Sequence, residues 1–195
     1  MALVMHVIKK AAYAIQKGDK RGGLKMDFSK LKKYVHRDWS ETDIAKQKGE
    51  KHYFVKTDPN EMREMTEELE KDLKIEFPKD LTTFYENIGS GNLWFSKQDK
   101  IWNYNILEPL EIHDLYYPND EEDLFITYRL NAWDNLEEKL LAFCLMDEED
   151  SILYYSLNDK GIYLFPEEKI ADSLEEFFEL IDGQADYFMG EDSYE

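Results

Sequence analysis

Four histidines, one serine between glycines, one cysteine and a large number of carboxylates are the residues of this chain that could do chemistry. His6, His36, His52 and His113 lie far apart, and none falls in a His-x-x-x-His or Cys-x-x-Cys pattern, so no metal or other cofactor is expected. Ser90 sits between Gly89 and Gly91, but the Gly-x-Ser-x-Gly of a nucleophile elbow is absent, and the turn follows a helical pattern rather than a strand. The same glycines are a poor phosphate loop, because no helix N-terminus follows to hold an anion. Cys144, the single cysteine, lies in the apolar run LLAFCLM with no basic neighbour to lower its pKa. It reads as a small buried hydrophobe and fits a reducing compartment.

Carboxylates are too many to be informative as pairs: with 43 Asp and Glu, chance neighbours are certain. Two dense runs stand out as surface for a partner. Asp120, Glu121, Glu122 and Asp123 form one, and Asp147, Glu148, Glu149 and Asp150 the other. The second lacks the alternation and central glycine of a calcium loop. Trp94, Trp102, Tyr116, Tyr117 and Trp133 lie near acidic segments, a combination that suits a protein-binding patch. Taken singly, each of these rings is more simply a core residue. The residue types therefore point away from catalysis and towards binding.

The elements that position these residues follow from periodicity. Asp58, Pro59 and Glu61 open a helix in which Met62, Met65, Leu69 and Leu73 recur at helical spacing. Ile75 and Phe77 mark an extended link, and Pro78 starts a second helix with Leu81, Phe84, Tyr85 and Ile88 on its buried side. Gly89 ends it and Gly91 lets the chain turn into a strand at Leu93. His52–Lys56 and Ile101–Ile106 read as strands, and Leu110–Tyr117 as a short helix. Residues 124–130 are ambiguous, and Asn131–Glu138 reads as a loop around Trp133. Leu140–Met146, Ser151–Leu157 and Ile162–Phe165 are three strands, the last two joined by an Asn158–Gly161 turn with a glycine bulge. Ser173 and Glu176 cap a final helix with Leu174, Phe177, Phe178 and Ile181 on its apolar side. Before all of this, Met26–Arg37 reads as a short basic helix and Asp38–Lys51 as a polar loop with at most one helical turn near Ile44. Helices, then strands, then a helix argue an α+β fold with a largely antiparallel sheet.

A chain of 195 residues with 43% hydrophobic and 14% aromatic residues can build one domain with a real core. No apolar run approaches the ~20 residues that span a bilayer. The net charge of −19 is uneven. Residues 1–60 carry 14 Lys and Arg against 7 Asp and Glu, leaving 10 against 36 in residues 61–195. Such a body repels nucleic acid and anionic membrane and attracts basic partners, so direct nucleic-acid binding is not expected.

Taken together, these residues resemble the SUKH superfamily, bacterial immunity proteins of polymorphic toxin systems with relatives among fungal cell-wall regulators. The resemblance is carried by Phe77-Pro78, Leu81, Phe84-Tyr85, Ile88-Gly89 and Gly91, then by Asn105-Ile106-Leu107 with Pro109. It continues through the hairpins ending at Ile162-Tyr163 and Ile170-Ala171-Asp172-Ser173-Leu174 with Phe177, spanning about Tyr53 to Ile181. It implies a sheet with helices packed on it, no catalysis, a cytoplasmic location and a cognate protein toxin as partner. The acidic body suits a toxin with a basic active-site surface, such as a nuclease. The matched residues are fold-bearing, so no site residue is carried over and the two acidic runs remain the candidates. The alternative is a regulatory or scaffolding interaction domain with no toxin partner.

The expected organisation is a basic extension over residues 1–52, a SUKH-like domain over 53–183 and an acidic aromatic tail over 184–195. Val4, Ile8, Ala11 and Ile15 sit at helical spacing near the start. That segment could dock on the domain, lie on a membrane surface, or lie outside the native protein. The last reading has a basis in the code: Arg21-Gly22-Gly23 can be encoded with AGGAGG, a bacterial ribosome-binding sequence, and Met26 follows at a workable distance. Translation is then expected to begin at Met26. N-terminal sequencing of protein from the source cell should start there, and a start anywhere earlier refutes it.

Overall fold

The computed structural model describes residues 27–97, 102–117, 126–146, 151–165 and 168–184. Within them, eight strands lie side by side in chain order. They are β1 (Val35–His36), β2 (His52–Val55), β3 (Ser90–Phe95), β4 (Trp102–Ile106), β5 (Leu140–Met146), β6 (Ile152–Ser156), β7 (Ile162–Phe165) and β8 (Glu168–Ala171). β1 runs parallel to β2, and the other neighbours are antiparallel. The helices are α1 (Thr42–Lys48), α2 (Pro59–Leu73), α3 (Lys79–Asn87), α4 (Pro109–Tyr116), α5 (Ile126–Glu137) and α6 (Leu174–Gly183). This is the α+β fold expected, a mostly antiparallel sheet with helices, but the helices interrupt the strands instead of preceding them: α1 lies between β1 and β2, α2 and α3 between β2 and β3, α4 and α5 between β4 and β5, and α6 follows β8.

One face of the sheet holds the main core. Residues directly opposite one another share a face, and Phe54, Gly91, Ile106, Cys144 and Leu153 form such a row across five strands, all buried. The helices land on it through their apolar stripes. Asp58 caps α2 by accepting from the amides of Asn60 and Glu61, and Met62, Leu69 and Leu73 are buried. Leu81, Phe84, Tyr85 and Ile88 are buried along α3 and its C-cap. Phe84 stacks on Phe178 of α6 at 4.4 Å, and Phe28 meets both edge-on at 5.3 and 5.9 Å. Phe54 of β2 completes the cluster at 5.9 Å from Phe84. Each such pair adds ~1 kcal/mol beyond its buried area. On the other side of β2, Tyr53 and Val55 pack with Ala45 of α1.

The turn from α3 into β3 sets the distance between the helices and the sheet. Gly89 has φ +103°, and a Cβ there would stand 2.0 Å from the Val55 carbonyl oxygen. At Gly91, with φ +151°, a Cβ would stand 2.1 Å from the Tyr53 oxygen. β3 therefore lies against β2 at a spacing that only glycine permits.

The structure departs from the expected elements in five places. Residues after Phe28 form a 3-10 helix (Ser29–Tyr34) that stops where Val35 and His36 pair with Phe54 and Val55. Sheet pairing here overrides helix propensity. Asp38–Lys51 is mostly helical: a 3-10 turn (Trp39–Glu41) runs into α1, which Gly49 ends in the left-handed region. Asn131–Glu138, read as a loop, belongs to α5 as far as Glu137, and Ala132 and Leu136 are buried one turn apart. β8 was not foreseen, because Glu168 and Lys169 mask the buried Ile170 and Ala171. In the β6–β7 turn the left-handed residue is Lys160 (φ 65°), not Gly161. Asp159 takes the turn's bonds, accepting from the Gly161 amide at 3.0 Å and the Tyr163 hydroxyl at 2.9 Å. The helix expected over Met1–Ile15 and the tail from 185 onwards lie outside the described residues.

Replacing Gly91 or Gly89 with Ala is expected to cost at least ~3 kcal/mol, since it combines a disfavoured φ with a backbone clash. Urea unfolding checks this. A loss under 1 kcal/mol at either position would show that β3 can move away from β2.

Candidate functional site

The helical layer made by α2, α4 and α5 carries two exposed aromatic rings near acidic groups. α4 begins with Pro109 in its first turn, and the Glu108 amide donates to Glu111 Oε2 at 2.7 Å. Ile112, Leu115 and Tyr116 anchor it in the core. Tyr116 is buried, and its hydroxyl oxygen accepts from the Ala142 amide of β5 at 3.2 Å. The next residue, Tyr117, is 38% exposed, and Trp133 of α5 is 37% exposed. Their rings meet at 90° with centroids 5.4 Å apart. Trp133 also packs edge-on against Tyr116 at 5.2 Å, and its Nε1–H donates to the Tyr116 carbonyl oxygen at 3.1 Å. The Tyr117 hydroxyl donates to the Asp72 carbonyl oxygen of α2, also at 3.1 Å. Both rings are thus held by a bond to main chain.

Carboxylates surround this pair. His113 lies 5.3 Å from the Tyr117 ring, with Nε2 at 3.1 Å from Asp72 Oδ2 and Nδ1 at 3.8 Å from Asp114. Glu68 stands one turn before Asp72, and one ligand atom from each of Glu68, Asp72 and His113 lies within 4.8 Å of the others. Among the described residues this is the one group that could bring three ligand atoms to an ion. Its present chemistry is a histidine–aspartate tie between α2 and α4, with Glu68 exposed. Asp134, next to Trp133, is exposed.

The two acidic runs nominated from sequence, Asp120–Asp123 and Asp147–Asp150, lie outside the described residues. Their flanks are described. The first run joins Tyr117, at the end of α4, to the start of α5 at Ile126. The second joins β5 to β6, and the Met146 amide at the end of β5 donates to the Ser151 carbonyl oxygen at 2.9 Å. Of the nominated aromatics, Tyr116 is core, Trp94 is half-buried, and Tyr117 and Trp133 are exposed. Sequence reasoning left residues 124–130 ambiguous and read Asn131–Glu138 as a loop, and so could not bring Trp133 beside Tyr117.

The nucleophile and base candidates are occupied. Ser90 is buried and its hydroxyl donates to Glu108 Oε1 at 2.8 Å. Cys144 is fully buried, which pushes its thiol pKa far up. His36 lies between Glu41 and Glu50 at 3.3 and 2.9 Å, stacked on Tyr53. A cavity of about 920 Å³ opens between residues 27–32, α3 and the start of α6, but its charges are largely matched, Lys160 pairing with Asp80 at 3.4 Å.

His52 is the most constrained titratable group. Its Nδ1 accepts from the Trp94 amide at 3.2 Å, so Nε2 carries the proton towards Asp182 Oδ1, also at 3.2 Å. Trp94 reaches it by adopting φ 52°, an uncommon conformation for a bulky residue. Lys51 covers the Trp94 ring at 4.1 Å and donates to the Asp182 carbonyl oxygen. With both ring nitrogens bonded and no exposure, His52 fastens the end of α6 to the sheet and has no free nitrogen to act as a base.

The helical layer on the sheet and the quoted motif residues are reflected in the comparisons with known proteins. The chain matches the SMI1 / KNR4 family (SUKH-1) over residues 62–180, more than half its length, and belongs to that family. It is 28% identical over 132 residues to the immunity protein YxxD of Bacillus subtilis (strain 168), covering 63% of this chain and 81% of that protein. No solved structure matches it. No helix among the described residues is long and apolar enough to cross a membrane.

Burial lowers the His52 pKa from 6.5 to about 4, outweighing the opposing pull of Asp182. The folded protein therefore resists a proton that the unfolded chain accepts. This contribution, ~3 kcal/mol, is complete above pH 6.5 and is lost as pH falls from 6.5 to 4. Asp182 is itself held below the usual carboxylate range, against the cost of burial, by His52 and Lys51, so its titration lies below that window. Urea midpoints should fall steadily between pH 6.5 and 4, and H52Q should flatten that segment. An equal slope in both proteins would assign it to other groups.

Proposed function

We propose that this protein is an immunity protein: it binds a cognate protein toxin and blocks it by occupying the toxin's working surface, with no chemistry of its own. Membership of the SUKH-1 family, with the likeness to an immunity protein along most of that relative's length, is the observation that carries this reading. The committed state of Ser90, Cys144, His36 and His52 supports inhibition by contact rather than by reaction.

The toxin acts on nucleic acid in the cytoplasm. An enzyme of that class carries a basic groove for phosphates, and a body with 36 acids against 10 basic residues over 61–195 complements it. The acidic runs Asp120–Asp123 and Asp147–Asp150 supply part of that complement. A protein whose charges fill phosphate positions excludes substrate without copying its structure.

The test is growth rescue. The C-terminal domain encoded by the gene just upstream is expressed with and without this protein. Growth should stop in the first case and recover in the second. A harmless domain, or equal killing in both, would favour a regulatory interaction module instead. Replacing Glu148, Glu149 and Asp150 together with Lys should weaken toxin affinity at least tenfold while leaving thermal unfolding within a few degrees. Undiminished rescue by the triple variant would remove that run from the interface.

A further inference from the structure

We infer that the exposed pair Tyr117 and Trp133, with the carboxylates around it, is the anchor by which the protein grips arginine and lysine side chains lining the toxin's groove. The inference rests on the immunity reading and names the surface and chemistry that this reading leaves open.

Three features of the pair carry it. First, the rings are exposed and yet fixed. Trp133 Nε1–H is bonded to the Tyr116 carbonyl and the Tyr117 hydroxyl to the Asp72 carbonyl, both at 3.1 Å. A fixed ring loses little entropy when a partner closes on it, so more of its contact energy appears as affinity. Second, more than a third of each residue is open to solvent, and aromatic surface attracts guanidinium and ammonium groups. Third, carboxylates lie beside the pair. Glu68, Asp72 and Asp114 lie on the α2–α4 side of it, and the exposed Asp134 follows Trp133. An aromatic face among carboxylates recognises cations and rejects phosphates.

Charge also chooses the occupant. A second copy of this chain would bring the same carboxylates against these, at a cost in every close pair. Nucleic acid is repelled for the same reason. A basic protein groove satisfies both the rings and the acids.

The experiment measures binding of the upstream-encoded toxin domain, inactivated at its own catalytic residue, by calorimetry, beside the growth rescue. W133A should weaken binding at least 30-fold, as aromatic anchors do. Because Trp133 also packs on Tyr116, D134K serves as the variant that leaves the packing intact; it should weaken binding at least tenfold with an unchanged urea midpoint. D43K, the same charge change on α1 across the sheet, should stay within twofold. If D134K binds within threefold of the unaltered protein, or D43K loses as much as D134K, the inference is overturned. Sedimentation of the protein alone should show a monomer, and a dimer that W133A dissociates would assign the pair to self-association instead. If the unaltered protein neither binds nor protects, the immunity reading and this inference fall together. If it does both while the Trp133 and Asp134 variants match it, only the inference falls.

Discussion

The close contact between β3 and β2 is the constraint on which the rest of the architecture depends. Gly89 and Gly91 place their α-carbons where any side chain would strike the Val55 and Tyr53 carbonyls. That contact ends α3 and starts β3 in two residues, so α3 must lie directly over the sheet. Phe84 is then in reach of Phe54 beneath it and Phe178 beside it, and α6 is fixed in turn. The same row of paired residues runs on through Ile106 and Cys144 to Leu153. A helix pair, a sheet and a terminal helix are thereby registered by two glycines, one on either side of Ser90.

Much of this was legible in the sequence, because the residues concerned obey one local rule each. Asp58 and Ser173 are good N-caps, and Leu81, Phe84, Tyr85 and Ile88 keep helical spacing. Where two rules competed, the reading failed. Val35 and His36 could continue a helix, but pairing with β2 satisfies their backbone instead. Ala132 and Leu136 are too few to show a stripe in a segment otherwise rich in Asn, Asp and Glu, so the second half of α5 looked like a loop. Gly161 seemed the obvious left-handed residue, yet Lys160 takes that conformation while Asp159 binds the turn around it. The proposed surface was legible only in composition. Tyr117 and Trp133 are 16 positions apart, and no local pattern says that two helices will bring their rings to 5.4 Å.

The buried polar groups show how little of the interior is available for chemistry. His52, Ser90 and Ser156 are buried, and each is used in holding the chain. Ser90 ties the start of β3 to Glu108, and Ser156 accepts from the amides of Asn158 and Asp159 in the β6–β7 turn. His52 and Trp94 together set a local strain against a network that includes Lys51 and Asp182. Strain of this kind often marks an active site. Here it fixes the end of α6 to β2, since every polar atom of the imidazole already has a partner inside the protein.

A fold of this kind separates what must stay constant from what must vary. The core row, the glycine contact and the aromatic cluster are set by packing, and packing tolerates few changes. The surface of α2, α4 and α5 is under no such restraint: Glu61, Glu64, Glu67 and Glu68 project from α2 without touching the core. A protein that must match one particular adversary needs a surface that can be rewritten while the scaffold persists. The Tyr117–Trp133 pair sits where the two regimes meet. Its hydrogen bonds go to main chain of α4 and α2, so its position follows from the scaffold. On the proposed reading, its exposed surface and the acids beside it are what meets the toxin. The neighbouring acids can change without loosening the rings, because both rings are held by bonds to main-chain oxygens.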